Sequence, residues 1–235
     1  MFNEYENILD ANNFLTKQMN YITRFKELLK EIYQNYEILI RDKIKVPRKE
    51  NEIRDILVDD YLSKNISNYT FEKEENNNLG RVDIFIQDTL TEDKPKFIIE
   101  CKILDNKNTD GMEGLNAKYI KNGIQRFLTE HYFLENNFKI NAMIGFVVSN
   151  LSITNNIVSI NILTDKLLKN LVVVKQNIIS ESDNLYKSIY STCNNKEFSI
   201  YHQMMDFSLN IKGNEETNKI NENKCVGNSD KLKIN

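Results

Sequence analysis

Apolar residues recur at helical spacing along the first part of the chain. The pattern predicts a helix over residues 4–45, with an apolar stripe formed by Ile22, Phe25, Leu28, Leu29, Ile32, Tyr36 and Leu39. Because residues three or four apart share one face of a helix, this stripe predicts an amphipathic arm, packed on the main domain or on a second subunit. Val46-Pro47 ends the pattern. Since proline is favoured at a first helical position, a second helix is expected from there to Lys64.

The pattern then changes to short apolar or alternating segments with turn signals between them. It predicts three strands, a long helix and a fourth strand, at residues 69–75, 80–88, 94–104, 112–134 and 141–150. Three asparagines at 76–78 predict a turn between the first two strands. A strand meander followed by a crossover helix and another strand is typical of an α/β domain.

The rest of the chain divides into a structured part and a polar end. A further helix and two strands are predicted, at residues 156–170, 171–179 and 198–208. The polar stretch after them favours disorder. The predicted organisation is therefore a helical arm over 1–45, a domain over 46–211 and a disordered tail over 212–235.

Composition and charge mainly exclude functions. The net charge of -3 gives no global basic field, so a polyanion would have to bind a local basic patch. The three cysteines lie far apart and only two histidines are present, which argues against a structural zinc site. No apolar run approaches the roughly 18 residues that are needed to span a bilayer.

The acidic N-terminus lacks the charge pattern of a signal peptide. The sequence therefore predicts a soluble cytoplasmic protein with no membrane partner.

Ionisable residues interrupt two of the apolar strands. Glu100 and Lys102 are two positions apart in the third strand, so strand alternation places both on one face. Asp83 is a carboxylate within the apolar second strand. If these strands pair as a hairpin, Asp83 and Glu100 lie on neighbouring strands with their side chains on the same face.

Two carboxylates on a covered sheet face require compensation. An unpaired buried carboxylate costs several kcal/mol or takes up a proton, so a cation is expected between Asp83 and Glu100. Their oxygens suit Mg²⁺, and the backbone carbonyl of Cys101 could supply a third ligand. Lys102 beside them would stabilise developing negative charge. This combination predicts hydrolysis of a phosphodiester.

Asp83 in one apolar strand and Glu100-Cys101-Lys102 in the next resemble the motif of the PD-(D/E)XK nuclease superfamily. The resemblance implies a restriction-endonuclease-like α/β fold. Its core would be α-β-β-β-α-β, with a mixed central sheet flanked by helices, here preceded by the N-terminal helical arm. It also implies a nuclease that depends on Mg²⁺ or Mn²⁺ and hydrolyses nucleic acid, with DNA as the expected substrate. The implied setting is bacterial or phage restriction, defence or DNA processing. Val82 stands directly before Asp83, so the proline of the motif is absent.

The resemblance also implies site residues on the two flanking helices. Members of this superfamily often add a glutamate from the first helix, for which Glu50 and Glu52 are the candidates. Glu50 is preferred because it lies closer to the apolar stripe of that helix. The helix after the third strand borders the active site in similar nucleases. Its candidates are Gln125 in the catalytic set and three basic residues for nucleic acid, Lys118, Lys121 and Arg126.

Several alternatives stay open. Glu100 and Lys102 could form an ion pair on the solvated face of an edge strand. Glu50 and Glu52 could simply be acidic residues favoured by the dipole of a first helical turn. Nuclease folds also persist as inert modules, so a non-catalytic subunit that binds nucleic acid or a partner protein is the main rival. A structural interaction protein built on the helical arm is another. A homodimer would suit double-strand cleavage.

Overall fold

The computed structural model describes residues 2–77, 80–131, 138–182 and 184–212 of the 235-residue chain. Three sequence predictions fall partly outside these ranges. They are the asparagine turn at residue 78, the end of the long helix at 132–134, and the disordered tail beyond residue 212.

Four helical runs are formed by the described residues. Helix α1 spans Phe2–Arg41. Helix α2 is a continuous run in three parts, namely Glu50–Asp55, a π-helical Ile56–Leu62 and Ser63–Asn65. Helix α3 has the same composite form, with Leu115–Tyr119, a π-helical Ile120–Ile124 and Gln125–Leu128. Helix α4 spans Ile153–Leu167, and Ser152 caps its N-terminus by accepting a hydrogen bond from the Asn155 backbone N–H.

Seven strands form one mixed sheet among the described residues, in the order β1-β2-β3-β4-β7-β6-β5. Their bounds are β1 Tyr69–Asn77, β2 Gly80–Asp88, β3 Lys96–Leu104, β4 Ile140–Val147, β5 Val172–Ser182, β6 Leu185–Thr192 and β7 Glu197–Asp206. The central strands β3, β4 and β7 run parallel to one another. All other neighbouring pairs in the sheet are antiparallel. The predicted α-β-β-β-α-β order and the mixed sheet are confirmed.

The sheet separates two apolar cores. Helices α1 and α2 cover one face, where Phe25, Leu29 and Ile53 are fully buried. Helices α3 and α4 cover the other face, where Tyr119 and Ile160 are fully buried. This three-layer arrangement buries β3 and β4 on both sides, which explains why their sequences are almost continuously apolar.

The structure differs from the sequence predictions at two elements. Strand β6 was not predicted, because its sequence LYKSIYST alternates only partly between buried and half-buried positions. Helix α3 is shorter at both ends than the predicted 112–134. At its C-terminus Thr129 leaves the helical conformation and Glu130 adopts a positive φ of 55°. The proposed boundary between arm and domain at residue 45 stays a prediction.

Candidate active site

The site lies where strands β2 and β3 stop pairing. Their backbone ladder ends with Ile84 opposite Ile99. Beyond this pair a side chain replaces the backbone acceptor. The Cys101 backbone N–H on β3 donates to Asp83 Oδ2 on β2 over 2.8 Å. Asp83 is only 6% exposed and Glu100 is fully buried. Strand alternation places both carboxylates and Lys102 on the face that α3 covers.

Lys102 is the centre of the cluster. Its Nζ lies 2.5 Å from the Cys101 carbonyl oxygen, 2.8 Å from Glu100 Oε1, 3.2 Å from Glu50 Oε1 and 3.4 Å from Asp83 Oδ2. One ammonium group is therefore surrounded by three carboxylates and a carbonyl. Burial lowers the pKa of Lys102, but the charges of Glu100, Asp83 and Glu50 outweigh it, so its pKa is raised. The ammonium stays charged because the carboxylates around it compensate the lost hydration.

Helix α2 contributes Glu50 to this cluster and keeps Glu52 out of it. Glu50 contacts Lys102 through Oε1, and its Oε2 accepts a hydrogen bond from the Ile103 backbone N–H over 3.0 Å. Glu52 is exposed and pairs with Lys49 over 2.7 Å on the outer side of the helix. Two positions along a helix are 200° apart, so these two glutamates cannot face the same site. The position of Glu50 therefore supports a role in the site, and the position of Glu52 does not.

Helix α3 presents one stripe of residues to the site. Lys118, Asn122 and Arg126 follow each other at intervals of four and all line the cleft. Arg126 Nη1 contacts Glu100 Oε1 over 3.0 Å. The predicted residues Lys121 and Gln125 lie on the neighbouring stripe and are not among the residues that line the cleft. Lys121 instead donates to the Met112 carbonyl oxygen. Their predicted roles in binding and catalysis find no support in their positions.

A glycine lets α3 approach the sheet closely at this point. A Cβ atom at Gly123 would lie 2.1 Å from Met143 Cε and 3.8 Å from Lys102 Cγ. Gly123 belongs to the π-helical turn of α3. Such turns are frequent at functional sites, where they re-aim the side chains around them. The glycine that weakens the sequence pattern of this helix therefore leaves room for the end of the Met143 side chain.

A buried arginine, which the sequence analysis did not single out, stands behind Asp83. Arg54 on α2 is 2% exposed. Its Nε and Nη2 donate to Asp55 Oδ1 over 2.9 and 2.8 Å, and Nη2 also donates to Glu74 Oε1 over 3.0 Å. Its Nη1 lies 3.6 Å from Asp83 Oδ1. In sequence, Arg54 follows the stripe residue Ile53, and nothing there distinguishes it from a surface arginine.

The cleft above these residues has a volume of about 360 Å³. It is lined by Glu50, Asn51, Arg81, Asp83, Lys102, Ile103, Leu115, Lys118, Asn122, Arg126 and His131. Basic side chains surround the carboxylates, with Arg81 from β2 and Lys118 and Arg126 from α3. Arg81 stands two positions before Asp83, and its adjacency to the motif was the signal that could have pointed to it.

Cys101 lies on the opposite face of β3 from the carboxylates and is fully buried in the other apolar core. Burial raises the pKa of its thiol well above the ordinary value, and the neighbouring Asp83 adds to the effect. The side chain is therefore a neutral packing group. Its backbone N–H and carbonyl oxygen are the parts that face the site.

The donor chemistry of the cluster suits a divalent cation. The carboxylates and the backbone carbonyl around Lys102 are hard oxygen ligands of the kind that Mg²⁺ takes. In this structure they surround the ammonium group of Lys102, and a bound cation would share them with it. No group of three or more His, Cys, Asp or Glu side chains in the described part of the chain is arranged to hold a metal ion.

A mixed sheet flanked by helices, with carboxylates and a lysine where β2 and β3 separate, defines a restriction-endonuclease-like α/β fold. Residues 48–137 match the family model of the PD-(D/E)XK nuclease superfamily, which confirms the resemblance over this part of the chain. Comparisons with curated proteins and with solved structures give no significant match. Within the described residues, the helices lack the combination of length and apolar character needed to cross a membrane.

Proposed function

We propose that the protein is a metal-dependent nuclease that hydrolyses phosphodiester bonds, with DNA as its substrate. The observation that carries the proposal is the convergence of Glu50, Asp83 and Glu100 on the Lys102 ammonium at the end of the β2–β3 ladder. The superfamily match over residues 48–137 supports the same conclusion, since members of this superfamily are typically nucleases that use divalent metals.

The chain's own residues divide the work of hydrolysis. Asp83, Glu100, the Cys101 carbonyl and Glu50 would hold Mg²⁺ or Mn²⁺. The bound ion would polarise the scissile phosphate and activate a water molecule. Lys102, held between the carboxylates, donates its N–H groups to the oxygens on which negative charge develops. Its position among the carboxylates supports the role of a charge stabiliser.

Substrate binding is assigned to the basic rim of the cleft. Lys118 and Arg126 from α3 and Arg81 from β2 stand around the acidic centre and line one cavity. Arginine and lysine contacts to phosphate oxygens supply affinity without sequence information. The acidic pI of about 5.6 is compatible with this role, because the positive charge is needed only at the rim.

The rival hypothesis is a nuclease fold that has lost catalysis and binds nucleic acid or a partner protein. The structure offers a reason to prefer the enzyme. An inert domain has no need to bury Asp83 and Glu100 beside the buried Lys102 ammonium, because such clusters cost desolvation free energy that apolar packing would avoid.

The first test is cleavage of plasmid and single-stranded DNA with Mg²⁺ or Mn²⁺, comparing the wild type with Asp83→Ala and Lys102→Ala. We expect metal-dependent cutting that falls at least about 100-fold in both variants, as for the loss of a preorganised charged group. Asp60→Ala and Lys64→Ala are matched controls, because these residues form an exposed ion pair on α2, outside the residues that line the cleft.

The outcomes separate the two hypotheses. Cutting that survives in both site variants would come from a contaminant or from another site. A folded wild type that binds DNA but cuts neither DNA nor RNA with either metal would favour the inert module. Parallel assays on RNA decide the nucleic-acid class.

A further inference from the structure

The buried guanidinium of Arg54 is incompletely paired. Its Nε and Nη2 have hydrogen-bond acceptors, but Nη1 is buried without one among the described residues. A buried donor that lacks an acceptor destabilises the fold, so an unpaired Nη1 calls for an explanation. The nearest anion to Nη1 is Asp83, whose Oδ1 lies 3.6 Å away.

Asp83 consequently lies between two cations. Its Oδ2 faces the Cys101 backbone N–H and the Lys102 ammonium, and its Oδ1 faces Arg54. Of the four oxygen contacts of Lys102, the one to Asp83 is the longest, at 3.4 Å. Lys102 is shared with three other oxygens, so Arg54 is a second cation beside Asp83.

The other partners of Arg54 show that charge balance alone does not require its burial. Asp55 is 41% exposed and Glu74 is 36% exposed, so water solvates both carboxylates without the arginine. Asp83 is the one among the three that is buried, with a side chain 9% exposed. The partner that gains most from the guanidinium is therefore the predicted metal ligand.

We propose that Arg54 is a positioning residue of the nuclease centre, which fixes the Asp83 carboxylate so that Oδ2 faces the Cys101 N–H and Lys102. This inference rests on the proposed function for its catalytic consequence, but its structural part can be tested without catalysis. Arg54 acts through Asp83 and does not line the cleft. It should therefore affect turnover and leave substrate affinity unchanged.

The Cys101 amide proton reports the position of Asp83 directly, because it donates to Oδ2. In Arg54→Met, we expect NMR-detected hydrogen exchange at this amide to become about tenfold faster, as for the weakening of one hydrogen bond to a charged acceptor. Arg54→Lys, which keeps the charge, should restore part of the protection. Arg81→Met is the matched control, since Arg81 contacts the same Glu74 oxygen over 3.2 Å but does not contact Asp83. It should leave the Cys101 amide as in the wild type.

Turnover supplies the second measurement. In Arg54→Met we expect kcat for DNA cleavage to fall about tenfold at an unchanged KM, because the misplaced group acts in the transition state and not in binding. Titration with Mn²⁺ without nucleic acid, followed by calorimetry, should show weaker binding of the ion. Arg54→Lys should recover part of the lost kcat.

These experiments test the positioning role of Arg54 independently of the nuclease hypothesis. Unchanged Cys101 exchange in folded Arg54→Met would overturn the proposal, and so would wild-type kcat in that variant. Arg54→Gln, which keeps a donor for Asp55 but no charge, gives the same decision if Arg54→Met does not fold. If the wild type cuts no nucleic acid, the proposed function fails, while the Cys101 amide still accepts or rejects the positioning role.

Discussion

At the scale of single residues, the site is made by side chains that satisfy one another in place of water. Asp83 accepts from a backbone N–H that the β2–β3 ladder leaves unpaired, and Glu50 accepts from the Ile103 N–H. The Lys102 ammonium contacts both of these carboxylates and also that of Glu100. Each group is stable where it is because the others are present, so the cluster is expected to respond as a unit to substitution.

The two glutamates of α2 provide a sharp residue-scale prediction. Glu50→Gln removes a charge that contacts Lys102, and we expect kcat for nucleic-acid cleavage to fall about 10- to 100-fold, as for the loss of a charged hydrogen bond. Glu52→Gln should stay within about twofold, because Glu52 is exposed and pairs with Lys49. Equal losses would contradict the site role of Glu50. They would indicate that both residues act through the dipole of the first helical turn.

Sequence reasoning succeeds at this scale where strand alternation applies. The shared face of Glu100 and Lys102 follows from their spacing of two, and the neighbouring Asp83 follows from the hairpin. Arg54 escapes such reasoning because its partners Glu74 and Asp83 lie on strands β1 and β2, far from it in sequence. From sequence alone, a buried arginine on a helix cannot be distinguished from an exposed one. The distinction requires knowing which strand packs against the helix.

At the scale of elements, a buried histidine joins α3, β6 and β7 behind the site. His202 is fully buried, and its Nδ1 and Nε2 each lie 2.8 Å from a hydroxyl oxygen, of Tyr119 and Ser188 respectively. Neutral imidazole has one donor and one acceptor nitrogen, and hydroxyls can satisfy both. Burial lowers the pKa of His202 from 6.5 to about 3.

This histidine makes stability depend on pH in a defined direction. Below pH 6.5 the unfolded chain binds a proton at His202 that the folded protein rejects until about pH 3. Its contribution is therefore fully present above pH 6.5, and the free energy of unfolding falls as the pH decreases, by at most about 1.4 kcal/mol per pH unit. Urea unfolding between pH 7.5 and 5 should show a shallower decrease for His202→Gln than for the wild type.

The outcomes of this experiment separate the buried histidine from ordinary acid denaturation. If His202→Gln and the wild type lose stability in parallel, the buried network does not cause the acid sensitivity, and carboxylate protonation is the better explanation.

Elements were predictable from the sequence to different degrees. Strand β2 was predicted with its observed bounds because its apolar alternation begins at a glycine and ends at an aspartate. The π-helical turns in α2 and α3 were not, since one extra residue in a turn leaves no mark in a periodicity read over several turns. These turns depend on packing against the sheet, as the contact of Gly123 with Met143 illustrates.

At the scale of the molecule, the second half of the chain completes the sheet begun by the first. Strand β7 lies beside β4, with Asn141 opposite Ile200 and Gly145 opposite Met204. This pairing joins segments more than fifty residues apart, and no local pattern in the sequence encodes it. The match to the superfamily ends at residue 137, so β5, β6 and β7 lie beyond the part that the resemblance could predict.

Helix α1 raises the question of where the folding unit begins. The sequence pattern predicts that residues 1–45 form an arm. Seven apolar or aromatic residues of α1 are buried against the sheet side of the molecule, namely Tyr21, Phe25, Leu28, Leu29, Ile32, Tyr36 and Leu39. At about 1.5–3 kcal/mol for each buried side chain, their burial contributes roughly 10–20 kcal/mol. This is as large as the whole stability of a typical domain, about 5–15 kcal/mol.

Truncation tests this estimate, and it also tests whether the arm folds separately from the domain. We propose that residues 21–41 fold with the domain and that the helix before Tyr21 does not determine its stability, because Phe14, Leu15 and Met19 are more than half exposed. A chain that starts at residue 19 should therefore unfold in urea cooperatively, with a midpoint near that of the full chain. A chain that starts at residue 46 should fail to fold, since it exposes the face of the sheet that α1 covers. Cooperative unfolding of the shorter chain would show that the arm is a separate unit, and it would return the helix to the role of a partner-binding element.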